Sequence, residues 1–346
     1  MKSGKWYSIP FLSLIIALGA TLSTGCKKFD NYENNYAIQT PYGVYFADKL
    51  GTVYNTNDGK AYNIVFPADG VPCRALATSG TNFMFLKYNR LINANATLFL
   101  SENNGVNFNP VFRDALPDIT WQNQILNVPA AGNRIYLASP IGSTVEFSQD
   151  NGKTWEDDAT FTALSGFTIQ SLTQTKNGSL YAFDYKTLRL FEQISIGQGW
   201  TEKFAVNALP NGKFQIDHFN NTLVAADFDG TNGVWYSNDF GVNWTQFNGL
   251  PTNHRIFFAT SAHDKVLLAG TDSLGIYRLI GDTFVPSNNG IATQTSVYSI
   301  ASKEEIYKNQ NVKQYIYIAA STGLYRSEDL GQNWVLMRSG DYRNVY

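Results

Sequence analysis

Three stretches of this chain spell nearly the same word. Phe147–Trp155 reads FSQDNGKTW, Tyr236–Trp244 reads YSNDFGVNW, and Tyr325–Trp334 reads YRSEDLGQNW. Aligned as Ser-x-Asp-x-Gly-x-Thr/Asn-Trp, they place Ser148, Asp150, Gly152 and Trp155 in register with Ser237, Asp239, Gly241 and Trp244, and with Ser327, Asp329, Gly331 and Trp334. Three degenerate copies fall in the same frame: Asn55, Asn57, Gly59, Tyr62; Ser101, Asn103, Gly105, Phe108; and Gln193, Ser195, Gly197, Trp200. A seventh, YRLIGDTF at Tyr277–Phe284, lacks one turn residue. The aromatic anchors lie 40 to 50 residues apart. A fixed period of that size excludes an ordinary single-core domain and demands a fold built from equal units.

Each unit reads as four short strands separated by turn signals, as in IYLASPIGSTVEFS, LYAFDYKTLRLFE and VLLAGTDSLGIYR. Four strands every 45 residues or so describe a propeller blade. The expected fold is therefore all-β, a β-propeller of seven four-stranded blades, with six or eight blades also compatible with the spacing. The repeated word belongs in the turn between the third and fourth strands. There the Asp carboxylate accepts hydrogen bonds from turn amides, and Gly adopts backbone angles that other residues resist. The Ser and Thr or Asn side chains complete the local network, and the aromatic residue packs between strands or blades. The word resembles the BNR or Asp-box repeat of the sialidase, sortilin and photosystem-assembly-factor propellers. That resemblance implies a structural role for the boxes at the blade periphery, away from any active centre.

Gly152-Lys153-Thr154 also echoes the end of a phosphate-binding loop. The first glycine of such a loop would fall at Phe147, so no nucleotide is expected. With 26 basic and 28 acidic side chains and no basic stripe, nucleic acid is not an expected partner either. The start of the chain is more informative. Lys2 and Lys5 precede an apolar run from Phe11 to about Leu22, and small residues lead to Cys26. This reads as a secretory signal, because the run is shorter than the ~20 residues that span a bilayer. Ser23-Thr24-Gly25-Cys26 resembles a lipobox, with Leu22 one place further from the cysteine than the usual pattern. The expected organisation is a signal peptide at 1–25, a short tether at 26–36 beginning with an acylated Cys26, and one propeller at 37–346. The expected location is the cell envelope, as an outer-membrane lipoprotein. Cys73, the other cysteine, reads as a small buried thiol rather than a reactive one.

In a propeller, ligands meet the face that carries the loops between second and third strands and the connections between blades. Here that face is expected to hold Arg90, Arg113, Trp121, Asp184, Tyr185, Asp227, Asp229, His254 and Arg255. No metal or cofactor is expected: His218, His254 and His263 show no paired-ligand spacing. Asp227-Phe228-Asp229-Gly230 begins like a calcium loop, but Asn238 stands where a bidentate Glu belongs. A sialidase would need three arginines on a substrate carboxylate, a Tyr–Glu nucleophile pair and an acid/base Asp. The Arg-Ile-Pro segment of that family is missing, and Arg255-Ile256 is followed by Phe257. The leading expectation is a non-catalytic propeller that binds or scaffolds a protein or glycan partner in the envelope. A diverged sialidase-like glycoside hydrolase is the alternative, recognisable by convergent arginines or two carboxylates about 5 to 9.5 Å apart.

Overall fold

The computed structural model describes residues 44–345 except 57–60, 72, 80–81, 89–95, 104, 113–124, 129–133, 140–143, 151, 163–168, 185–186, 196, 206–208, 211, 229–231 and 307–311. Tyr42–Lys303 and Gln314–Tyr346 form one compact unit. The described residues form a β-propeller of seven four-stranded sheets. In chain order the sheets are β4–β7 (Cys73–Ser79, Asn82–Tyr88, Ala96–Ser101, Asn109–Phe112), β8–β11 (Ile125–Val128, Arg134–Ser139, Thr144–Ser148, Glu156–Asp157) and β12–β15 (Ile169–Gln174, Leu180–Asp184, Arg189–Gln193, Thr201–Ala205). Then follow β16–β19 (Phe214–Phe219, Thr222–Asp227, Val234–Ser237, Thr245–Gln246), β20–β23 (Ile256–Ala262, Val266–Thr271, Ile276–Ile280, Thr283–Pro286) and β24–β27 (Val297–Ile306, Val312–Ala320, Gly323–Ser327, Val335–Ser339). The remaining sheet joins the two ends of the chain: β28 (Tyr342–Val345) pairs antiparallel with β1 (Val44–Asp48), which continues to β2 (Val53–Thr56) and β3 (Asn63–Phe66). One short helix, α1 (Ala159–Thr162), follows β11.

The first strands of successive sheets lie against one another, β28 on β4, β4 on β8, β8 on β12, β12 on β16 and β16 on β20. Ser299 on β24 exchanges hydrogen bonds with the Val345 backbone on β28. Each sheet is therefore inserted edgewise, and the core lies between sheets rather than within one. One cluster joins Tyr45 and Val53 to Cys73 and Phe85; another joins Tyr136 and Val145 to Leu172 and Phe191. Further clusters join Tyr181 and Leu190 to Phe214 and Trp244, Val224 to Ile256 and Leu267, Leu268 to Ile316 and Tyr325, and Tyr317 and Leu324 to Val44 and Tyr342. This arrangement explains the composition of the second strands. LYAFD in β13 and VLLAGT in β21 are buried at every position, because both faces of the sheet meet a neighbour.

The repeated word occupies the turn between third and fourth strands. Ser148 Oγ donates to Asp150 Oδ1 (2.9 Å) and accepts from Gly152 N (2.7 Å). Asp150 then gathers the Lys153 and Thr154 amides and the Thr154 hydroxyl (2.6 Å). Ser237–Asp239–Asn243 and Ser327–Asp329–Asn333 repeat this network. So does the degenerate copy at Ser101, where Asn103 takes the place of Asp. The box glycines have φ of +81° to +95°, and a Cβ at Gly241 would come within 2.5 Å of Leu190 in the preceding sheet. A Cβ at Gly331 would meet Leu268 at 3.1 Å, again in the preceding sheet. The glycine thus serves both the turn and the contact between neighbours. At Tyr277–Phe284 the word is replaced by a plain hairpin, Ile280 opposite Thr283.

These turns carry an acid sensitivity. Burial raises the Asp150 and Asp329 carboxyls, but the side chains and amides of Thr154 and Asn333 outweigh it. At Asp239 the Asn243 amide is the principal cause, and all three carboxyls lie below the ordinary range. A depressed folded pKa contributes stability that is present above the unfolded value, about 3.9, and is lost as pH falls through the folded one. The triple variant Asp150→Asn/Asp239→Asn/Asp329→Asn is therefore expected to lower the thermal midpoint at neutral pH and to flatten its decline below about pH 4. Parallel acid limbs for variant and parent would contradict this.

Candidate functional site: the mouth of the first strands

Antiparallel pairing fixes which loops share an end of the propeller. Phe214 at the start of β16 lies opposite Asp227 at the end of β17, as Ile169 lies opposite Asp184 and Ile256 opposite Thr271. The connections between sheets and the loops between second and third strands are therefore at one end, and the boxes are at the other.

The side chains expected at the first end behave in three ways. Arg90, Arg113, Trp121, Tyr185 and Asp229 lie outside the described residues, as does Cys26. Asp184 and Asp227 correct the expectation, because both are fully buried. Asp227 Oδ1 accepts from Lys213 N (3.1 Å), and Oδ2 accepts from the Asn232 side chain (2.6 Å) and amide (3.2 Å). Asp184 Oδ2 accepts from Thr187 Oγ1 (2.7 Å). Asp48 repeats the device, taking Leu50 N, Thr52 N and the Tyr54 hydroxyl, and Thr271 does the same work with its hydroxyl. In these four sheets the last residue of the second strand is thus a loop-closing acceptor, and its polarity reflects turn chemistry rather than ligand chemistry.

His254 and Arg255 are at the surface. His254 Nδ1 meets both Asp272 Oδ1 (2.8 Å) and Ser273 Oγ (3.1 Å). The serine and the carboxylate share one nitrogen, so the trio is not a relay in which His bridges Asp to a nucleophile. Beside them, in the four first strands whose second side chain is described, that residue stands next to a buried neighbour and is itself half exposed: Gln215, Phe257, Tyr298 and Arg343. Phe257 and Tyr298 have ring centroids 5.2 Å apart, and the Arg343 guanidinium lies 4.0 Å above the Tyr298 ring. Asp341 holds that guanidinium from the side (3.0 Å) and also faces Lys49 (3.6 Å). Three consecutive sheets therefore converge on a pre-ordered aromatic and cationic cluster where their innermost strands begin. Sequence reasoning passed over it because Phe257, Tyr298 and Arg343 are scattered over 87 positions and belong to strands, not loops. Their common register, one residue into the first strand, is the signal that could have found them.

The hydrolase reading asked for converging arginines and a Tyr–Glu pair. Tyr181 and Glu192 do pair, O to Oε1 at 2.6 Å, with Lys203 on the other oxygen. Tyr181 is fully buried, however, and burial together with Glu192 raises its pKa, which is the opposite of what a nucleophile needs. Arg189 forms a pair with Glu202, Arg326 with Glu328, and Arg278 donates to the Leu330 carbonyl. Arg134 and Arg338 lie over the Phe147 and Tyr54 rings. These five guanidiniums serve contacts within and between sheets. At the box end, His218 lies between Asp217, Thr173 and Asp264, bridging three sheets. Burial lowers its pKa, but the hydrogen bond and charge of Asp217, with Asp264 beyond, raise it more.

No family model and no curated protein matches the chain. Among solved structures it is similar to YCF48 from Cyanidioschyzon merolae, with a TM-score of 0.57 and 14% identity over 84% of this chain and 92% of that one. It is also similar to a structure of YCF48 bound to D1 peptide, with a TM-score of 0.54 and 11% identity over 80% and 86%. A protein from Lactobacillus plantarum gives a TM-score of 0.56 and 11% identity over 87% and 98%. At such identities the likeness establishes the propeller fold.

Proposed function

We propose that this chain is a non-catalytic propeller of the cell envelope that holds an extended segment of a protein partner at the mouth formed by Phe257, Tyr298 and Arg343. In this reading the seven sheets are the seven blades of one ring. Residues 1–25 are removed as a signal peptide, and an acylated Cys26 with residues 26–36 tethers the ring to the outer membrane. The observation that carries the proposal is the stacked Arg343–Tyr298–Phe257 cluster. Aromatic and arginine side chains held rigid before binding are the groups that dominate protein recognition, because they lose little conformational entropy when a partner arrives. The structural neighbour described as bound to D1 peptide supports peptide binding by this architecture. His254 and Arg255, on the same end, extend the surface.

The test is a photo-crosslinking amino acid at position 298, introduced into the full chain in its native envelope. A discrete protein adduct that disappears with Arg343→Ala is expected, with the thermal midpoint retained because Arg343 is partly exposed. An adduct with glycan only would reassign the partner's chemistry. Adducts formed from Val242 in a box turn but not from position 298 would overturn the face.

A further inference from the structure

Two of the three histidines of the chain meet at the box end, where the first strands turn into the second. His218 Nδ1 on β16 lies 3.0 Å from Thr173 Oγ1 on β12 and 3.3 Å from Asp217 Oδ1, and its Nε2 lies 3.6 Å from Asp264 Oδ1 in the turn between β20 and β21. The Thr173 hydroxyl donates to Asp217 Oδ1 (3.1 Å), because an ionised carboxylate can only accept. His218 Nδ1 must then donate to Thr173 Oγ1. Its Nε2 edge faces a carboxylate as well. A neutral imidazole has a single N–H, so only the imidazolium serves both sides.

The turn that supplies Asp264 is strained. His263 and Asp264 take φ of +54° and +52° in succession, in a tight turn closed by Lys265 N on Ala262 O (3.1 Å). The matching turns of the two preceding sheets put Asn220 and Gly178 in that region, residue types that adopt it readily. Here side chains offset the strain in both directions. Asp264 reaches back to His218, and His263 Nε2 donates to Tyr315 O (2.9 Å) in the following sheet. Lys265, the next cation along the chain, donates to Gln314 Oε1 (2.6 Å).

We propose that His218 is the pH-responsive pin of a clasp joining the four consecutive sheets of Thr173, His218, Asp264 and Tyr315, fastened when the imidazole is protonated and released when it is neutral. β12 carries no ionisable side chain, so the charges that face the ring are Asp217 on its own strand and Asp264 in the turn. Burial of the ring disfavours the charged form, but these two carboxylates outweigh it and hold the pKa above the ordinary value. A raised folded pKa contributes stability that is fully present below the unfolded value, about 6.5, and is lost as pH rises through the folded one. Deprotonation leaves two carboxylates against an uncharged ring and lets the strained turn open. The box aspartates respond in the opposite sense and below about pH 4, so the two effects are separable.

The experiment follows the His218 ring resonance of the full chain by NMR from about pH 5.5 to about pH 8.5, assigned through its contact with Thr173. The resonance is expected to titrate above about 6.5 and to move down in Asp264→Asn. Hydrogen exchange of the Lys265 amide, which closes the turn, is read in parallel and corrected for its intrinsic rate. It should speed up about two- to fivefold as pH rises through this range, the effect of one ion pair that water partly screens. His218→Gln should abolish that acceleration. His263→Gln removes a bond that a neutral ring can make, so it should speed exchange by the same factor at every pH. A His218 resonance that titrates at or below about 6.5 in the parent would overturn the proposal, even if His218→Gln fails to fold. Acceleration that survives in His218→Gln, or that is lost in His263→Gln instead, would overturn it as well.

Discussion

A chain lacking residues 341–346 will not reach a cooperatively folded state. β28 is the innermost strand of the sheet that joins the two ends of the chain, and without it β1 has no inner neighbour. Tyr342 packs edge-on against Phe46 (5.1 Å) and Tyr54 (6.1 Å), and its burial is deep enough to push its hydroxyl pKa up to about 12. Asn344 donates to the Cys73 carbonyl of the next sheet (2.7 Å), and Ser299 bonds the Val345 backbone on the other side. Burial of Tyr342 and Val345 contributes about 1.5–3 kcal/mol each. Exposing Phe46, Tyr54 and Tyr317 adds a comparable amount, so the loss reaches about 5–10 kcal/mol against a total stability of 5–15 kcal/mol for a typical domain. Circular dichroism and urea titration of the truncated chain read this directly. A sharp transition at the parent's midpoint would show that β28 is dispensable. Arg343→Ala in the full chain is the matched control, because it removes a partly exposed side chain from the same strand without opening the sheet.

The second large effect is expected at Trp244, which should cost about 3–5 kcal/mol when changed to Ala. This box tryptophan is 7% exposed and lies in the cluster that joins Tyr181 and Leu190 of one sheet to Phe214 and Leu223 of the next. Its indole N–H donates to the Gly241 carbonyl (3.0 Å), so the same residue closes its own turn and fills the space between sheets. Gly241→Ala attacks the same junction from the other side. The φ of +95° disfavours any side chain, and the added Cβ would come within 2.5 Å of the end of the fully buried Leu190 side chain. A cost of about 1–3 kcal/mol is expected there. Trp155 supplies the comparison, because it keeps the same indole bond to Gly152 but is only half buried. If Trp155→Ala and Trp244→Ala shift the urea midpoint equally, the boxes act through their turns alone, and the packing account is wrong.

The repeat was legible in the chain because its cause is local. Ser, Asp, Gly and Trp at fixed offsets make a turn that needs no distant partner, and four residues suffice to recognise it. Four strands to a sheet and the position of the boxes at Ser101, Ser148, Ser237 and Ser327 followed from that period. The surface was read less well, because a loop aspartate looks the same whether it faces solvent or its own backbone. Asp184 and Asp227 were expected to meet a ligand, yet each is consumed by the amides and hydroxyls of the loop that carries it. Phe257, Tyr298 and Arg343 were not singled out at all, because nothing near them in the chain sets them apart until the sheets are placed side by side.

Local chemistry in the sequence by itself determined the repeating unit, its turns and the glycines those turns require. Only the tertiary structure decided which residues meet across units: β28 with β1, Gly241 with Leu190, and Arg343 with Tyr298 and Phe257. The physical reason is that hydrogen bonds within a turn span at most a few residues and are written in adjacent letters. Packing between sheets depends on the ring that brings together positions tens or hundreds of residues apart, and no spacing along the chain records it.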